Sequence, residues 1–164
     1  MGAGSITMRP ATPRDVGAVD LLLSRSYPKL LKKDYPPSVL VTAVPLISRA
    51  NTALVTSGTY FVAEAPDGSI IGAGGWTRLA RTRDAGQVRH LVVDWRRQRE
   101  GIGRRLLTVI VEDARNRGVG RLDAQATRTA VRFYEAMGFQ RLGEFDVPLR
   151  PGIGFPAVLM RRFL

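Results

Sequence analysis

The chain has 164 residues, 45% of them apolar and 24% charged, enough for one domain with a substantial core and ordinary for a globular protein. It holds no cysteine, which excludes disulfides, a thiol nucleophile and cysteine–metal sites, and no apolar run approaches the roughly 18 residues that span a bilayer. With no signal-peptide core at its N-terminus, the expected location is the cytoplasm.

The net charge of +11 invites a nucleic-acid reading. The arginines, however, are spread from Arg9 to Arg162, and the densest run is Arg96, Arg97 and Arg99. That distribution argues for solvated surface and phosphate contacts over a nucleic-acid patch. No helix-turn-helix signature or stacking platform of aromatics supports nucleic-acid binding, so that reading ranks last.

In chain order, residues 6–9 carry a short strand signal. Thr12, Pro13, Arg14 and Asp15 place a cap and a first-turn proline before a helical stripe of Val16, Val19, Leu22 and Leu23. Residues 27–35 read as a loop with two tyrosines. Pro36-Pro37-Ser38 opens a second helix bearing Leu40, Val41, Val44 and Ile47, which Pro45 kinks or shortens. Residues 59–64 and 69–79 read as strands joined through the hairpin signal Pro66-Asp67-Gly68, and residues 87–94 as another strand.

Leu106, Leu107, Ile110 and Ala114 give one apolar face to a helix that Gly118 ends. Residues 122–126 form a fifth strand and 129–137 a short helix stopped by Gly138. Residues 139–147 and 157–163 close the chain as two more strands. Residues 1–164 thus read as a single mixed α/β domain without linker or repeat.

Between the apolar run 88–93 and the amphipathic run from Arg104 lies Gln98-Arg99-Glu100-Gly101-Ile102-Gly103. A strand, a glycine loop and a helix start in that order form a cradle for a pyrophosphate. Glycines let the backbone approach the anion, and unpaired amides at the helix N-terminus donate to it.

Together with two further segments, this motif resembles the GNAT superfamily of acetyl-CoA-dependent N-acetyltransferases. The first segment is Leu91-Val92-Val93-Asp94 running into the glycine loop. The second is Ala130-Val131-Arg132-Phe133-Tyr134-Glu135-Ala136-Met137-Gly138-Phe139, close to the family's A-x-x-F-Y-E-x-x-G-F signature. The third is the opening Met8-Arg9-Pro10-Ala11-Thr12-Pro13-Arg14-Asp15.

The resemblance implies a central, mixed, mostly antiparallel sheet of six to seven strands flanked by helices. It implies acetyl-CoA as co-substrate and no metal. Backbone groups of Leu91, Val92 and Val93 would meet the pantetheine. Gln98, Arg99, Gly101, Ile102, Gly103 and Arg104 would hold the pyrophosphate, with the helix dipole favouring its charge. Arg96, Arg97 and Arg105 could supplement them or meet the 3′-phosphate. Thr127 stands where the family often has an asparagine on the pantetheine, and Phe133 and Tyr134 lie beside the cofactor. Tyr134 is the candidate general acid for the departing thiolate; its other reading is packing beside Phe133 and Phe139.

One departure concerns the general base. Gln87 occupies the position where many family members carry a glutamate, and an amide accepts no proton usefully. Glu64 and His90 are the remaining base candidates, with Asp94 on the phosphate side and water-relayed proton loss also open. His90 has a suitable ordinary pKa, but strand alternation places it on the opposite face from Gln87. Acceptor contacts implied by the resemblance are Tyr27, Tyr35, Trp76, Gln87 and Phe155, near the turn at 152–154; Trp76 reads equally well as a sheet-core aromatic.

The expected function is transfer of the acetyl group to a primary amine of a small molecule or peptide, by direct attack in a ternary complex. A homodimer is the expected assembly, if any, and no membrane partner is expected. A non-catalytic acyl-CoA-binding sensor is the alternative that Gln87 keeps open.

Overall fold

The structure, a computed structural model, describes residues 5–164. Its elements in chain order are β1 (Thr7–Pro10), a 3-10 turn (Pro13–Asp15), α1 (Val16–Leu31), α2 (Pro37–Thr42), α3 (Val44–Ile47), α4 (Thr52–Val55), β2 (Tyr60–Glu64), β3 (Ile70–Leu79) and β4 (Thr82–Val93). They continue with α5 (Ile102–Asn116), β5 (Arg121–Ala126), a second 3-10 turn (Arg128–Ala130), α6 (Val131–Ala136), β6 (Gln140–Arg150) and β7 (Ile153–Phe163).

All seven strands join one sheet in the order β1-β2-β3-β4-β5-β7-β6. β4 and β5 are its parallel pair, and α5 makes the crossover between them. The sheet is therefore mixed and mostly antiparallel, as expected. No helix of the described residues is long and apolar enough to cross a membrane.

Each face of the sheet carries its own core. On one, α5 lays Ile102, Leu106, Leu107, Ile110 and Ala114 against Val88, Leu122 and Met160. On the other, Val19, Leu23 and Leu31 of α1 pack with Val62, Ala73 and Val92. Removing this much apolar surface from water is the main force holding the layers together.

Local signals and tertiary packing disagree at four places. α1 runs through Tyr27 to Leu31 although Pro28 lies inside it, because Tyr27 and Leu31 both bury against the sheet. The single helix expected after Pro36 is two, and Pro45 sits in the first turn of the second, where a missing N–H costs nothing. β4 starts at Thr82 and β7 at Ile153, both earlier than the alternation suggests. The short helix α4 is capped by Asn51, whose side chain accepts from Leu54 N at 3.1 Å, a signal the periodicity does not reveal.

The feature that shapes the site is a bulge in β4. Gly75 pairs with Arg89 and Ala73 with Val92, so Gly74 alone faces both His90 and Leu91. His90 takes a left-handed φ of 46° there. Gly74 lets Leu91 pack closely opposite: a Cβ at residue 74 would meet Leu91 Cδ1 at 2.6 Å and its Cα at 3.1 Å. Beyond this point β4 and β5 part. Their pairing ends at Val88 with Ala124, whereas β4 runs on to Val93 and β5 to Ala126.

Candidate functional site

The parting strands open a cleft of about 490 Å³. One wall is β4, through Val88 and residues 90–93, and the β4 edge facing β5 has no strand partner from Arg89 onward. The other wall is Gln125, Ala126 and Thr127, followed by Phe133 and Tyr134. Tyr27, Leu30 and Leu31 of α1 close it from the side, and the loop 97–104 forms its mouth.

The mouth is built to receive an anion. Arg99 and Gly101 both take left-handed backbone conformations, with φ of 64° and 78°, and Gly101 is the N-cap of α5. No side chain caps this helix and no acidic residue lies in its first turn. The first-turn amides of Ile102, Gly103 and Arg104 therefore have no intrahelical acceptor, and the helix dipole adds positive potential. Gly103 allows close approach: a Cβ there would lie 3.3 Å from Phe133 Cε1.

The nearby arginines divide into two groups. Arg96 is engaged with Asp94 at 2.9 Å and Arg97 with Glu100 at 2.8 Å, so both serve the loop. Arg99 and Arg104 line the cleft without a carboxylate partner among the described residues. Arg105 is turned to the carbonyl of Ile6 at 2.8 Å. Gln98 also braces the loop, donating through Nε2 to the carbonyls of Val93 (3.2 Å) and Asp94 (2.9 Å).

Deeper in, three tyrosines and His90 gather at the bulge. The Tyr60 hydroxyl donates to the His90 carbonyl at 3.0 Å. Tyr134 stacks edge-on with Phe133 and with Phe139, centroids 5.3 and 5.1 Å apart. Burial raises the Tyr134 phenol well above its ordinary range, and the neighbouring Tyr27 adds to the shift. Burial raises the Tyr27 phenol in the same way. His90 is pushed down to about 4, first by burial and then by the adjacent Arg89 cation. Among the described residues, no carboxylate lines the cleft.

The structure brings together all eleven residues expected to hold the cofactor: Leu91, Val92, Val93, Gln98, Arg99, Gly101, Ile102, Gly103, Arg104, Thr127 and Phe133. Tyr134, His90 and Tyr27 join them. Five other expected residues lie outside the cleft lining. Glu64 lies at the β1–β2 edge, 3.3 Å from Arg9, and reaches no part of the cleft. Trp76 faces α5, its Nε1 donating to Asp113 Oδ2 at 2.8 Å, and belongs to the core on that side.

Tyr35 and Phe155 stack on each other with centroids 4.9 Å apart. The Tyr35 hydroxyl donates to the Pro156 carbonyl at 2.7 Å and accepts from Arg128 N at 2.9 Å. The pair thus fastens the loop after α1 to β7 and the β5–α6 turn, rather than facing the cleft. Gln87 pairs with Thr77 and Asp123 before the bulge and does not line the cleft.

His90 lines the cleft at the bulge. Its depressed pKa leaves it a poor proton acceptor near neutrality. The parity argument also fails, since Val88 and Val92 share a parity yet pack in opposite cores across the bulge. Leu30, Leu31, Gln125 and Thr129 line the cleft without any motif pointing to them, because α1 and the β5–α6 turn arrive from far along the chain. Arg89 carries a sequence signal of its own, a cation in the middle of a central strand beside His90.

A family model described as an acetyltransferase (GNAT) domain matches residues 34–148, and the chain belongs to this family. It is 35% identical over 95 residues to the N-alpha-acetyltransferase RimI of Mycobacterium tuberculosis, across 57% of this chain and 60% of that protein. The GCN5-related N-acetyltransferase structure from Rhodopseudomonas palustris superposes with a TM-score of 0.79 at 19% identity, covering 100% of this chain and 99% of that one. The PaiA N-acetyltransferase from Thermoplasma acidophilum, solved in complex with coenzyme A, gives a TM-score of 0.75 at 14% identity, covering 98% and 99%. At these identities the structural likenesses bear on the fold alone.

Proposed function

We propose that this chain is an N-acetyltransferase that uses acetyl-CoA and a primary amine, with the amine attacking directly in a ternary complex. One observation carries the reading: a single cleft is lined both by an uncapped, acid-free helix N-terminus and by the buried phenol of Tyr134. The family membership supports the choice of donor.

The residues present fit acetyl-CoA. The first-turn amides of α5, with Arg99 and Arg104, suit a pyrophosphate. The unpaired edge of β4 from Arg89 to Val93 suits the pantetheine amides. Thr127 and Phe133 line the other wall. Acetyl-CoA supplies an acyl group on a thiol leaving group.

Tyr134 keeps its proton throughout the physiological range, because burial disfavours the phenolate. Its Oη therefore acts as a hydrogen-bond donor to the negative charge that develops on the leaving sulfur. No cysteine exists to carry an acetyl-enzyme.

The amine reaches the site neutral. With no carboxylate among the described residues lining the cleft, no side chain there is suited to take its proton. The same surroundings that push His90 down to about 4 disfavour an ammonium as well, so the proton leaves to water before attack.

Thiol release from acetyl-CoA with a panel of amines tests this. The expected result is turnover whose pH dependence moves with the acceptor's own pKa and which drops sharply in Tyr134→Phe. Tight acetyl-CoA binding with no turnover on any amine would instead establish the sensor reading.

A further inference from the structure

We infer that the acceptor carries a carboxylate as well as its amine, and that Arg89 holds that carboxylate on the polar sheet face beside the cleft. The inference rests on the acetyl-transfer reading above.

The face is defined by strand register. Thr77 pairs with Gln87, Gln87 with Asp123, Asp123 with Arg161 and Arg161 with Gln140, a continuous polar row across β3, β4, β5, β7 and β6. Leu122, Ala124 and Ala126 bury under α5 and α6, so by alternation Arg121 and Asp123 face the other way. On that side α1 to α4 cover β2, β3, the far half of β4 and the start of β7. The row is left uncovered: the Arg121 and Arg161 side chains keep 26% and 28% of their exposure.

The charges on this face do not balance. Asp123 is its one carboxylate against Arg89, Arg121 and Arg161. Arg161 takes Asp123 with both arms, at 2.8 and 3.1 Å, and Arg121 Nε stands 3.4 Å away without a hydrogen bond. Arg89 finds only the neutral Thr77 Oγ1, at 3.2 Å. It is a half-buried guanidinium without a carboxylate among the described residues, one position from His90 in the cleft wall. A fork of donors in that setting matches a carboxylate in shape and charge. Polyamines and basic tails meet the opposite: a cleft with no acid and a face with surplus cations.

The pairing also serves the reaction. In an amino acid the carboxylate favours the protonated amine; a carboxylate taken up by Arg89 no longer does so. The matching class is a small amine of the amino-acid type.

Acceptors that differ only in charge test the inference: leucine against leucinamide, with spermidine as a cationic control. Rates are referred to the fraction of neutral amine. The expected result is at least a tenfold higher kcat/KM for leucine. Arg89→Gln, which retains a donor for Thr77, should raise KM for leucine about tenfold and leave the KM for leucinamide where it is. Calorimetric titration of the CoA-loaded wild type with N-acetylleucine and its amide reads the same preference without turnover and without any variant. No release with any amine would sink acetyl transfer, while product binding would still report on Arg89. Equal or better handling of leucinamide or spermidine, with no carboxylate preference in the titration, overturns the inference.

Discussion

The Tyr60 hydroxyl donates to the backbone carbonyl of His90 at 3.0 Å, tying β2 across β3 to the residue at which β4 bulges. The bond joins a phenol that burial holds protonated to the only non-glycine residue outside the phosphate loop with a positive φ among the described residues. Tyr60→Phe should cost about 1 kcal/mol of stability, seen in urea unfolding, since one partner of a buried bond is lost. It should also raise the KM for acetyl-CoA several-fold as the β4 edge shifts. An unchanged KM would mean that the bulge is held by Gly74 packing alone.

Gly103 offers a test of the cradle that leaves the rest of the chain untouched. Gly103→Ala brings a Cβ to 3.3 Å of Phe133 Cε1 and 3.5 Å of Val93 Cγ2, both cleft residues. Coenzyme A affinity measured by calorimetry should fall about tenfold, some 1.4 kcal/mol. The melting temperature should move little, because α5 keeps its buried face.

Tyr134→Phe separates chemistry from binding. The ring keeps its edge-on contacts with Phe133 and Phe139 and loses the donor. A kcat reduced about 10- to 100-fold at unchanged KM for acetyl-CoA is expected from thiol-release kinetics. A full-strength kcat would remove the phenol from the mechanism.

His90 predicts an acid-side loss of stability. Its folded value is about 4 against an ordinary 6.5, so between those values the unfolded chain binds the extra proton. The stability present above pH 6.5 is lost as the pH falls toward 4, by up to about 3 kcal/mol. Thermal melts of wild type and His90→Gln from pH 7 to pH 4 should show a shallower decline in the variant.

Trp76→Phe is the contrasting case. It removes the 2.8 Å bond to Asp113 on α5 and should destabilise the protein by about 1–2 kcal/mol in urea. With Trp76 in the core beneath α5, the KM values for acetyl-CoA and amine should remain those of the wild type.

Much of the site was legible because its parts are contiguous. Residues 98–104 form a strand exit, a left-handed turn and a helix start from their own sequence, and Phe133 and Tyr134 ride on the short helix that follows β5. The residues that the fold places away from the cleft depend on distant partners. Glu64 is claimed by Arg9, 55 positions away, and Trp76 by Asp113, 37 away. Alternation cannot place His90, because it counts residues evenly and the bulge inserts one extra.

The sequence by itself determined most of the element order and the glycine loop that opens α5, since each follows from patterns within about a dozen residues, while the mixed sheet and the role of Tyr134 rested on the family resemblance. Tertiary structure alone decided which acidic and aromatic side chains are already engaged, how α1 closes the cleft, and that Arg89 stands beside it without a carboxylate. Those outcomes depend on strand register and on the parting of β4 from β5, where packing between residues far apart along the chain outweighs local preference.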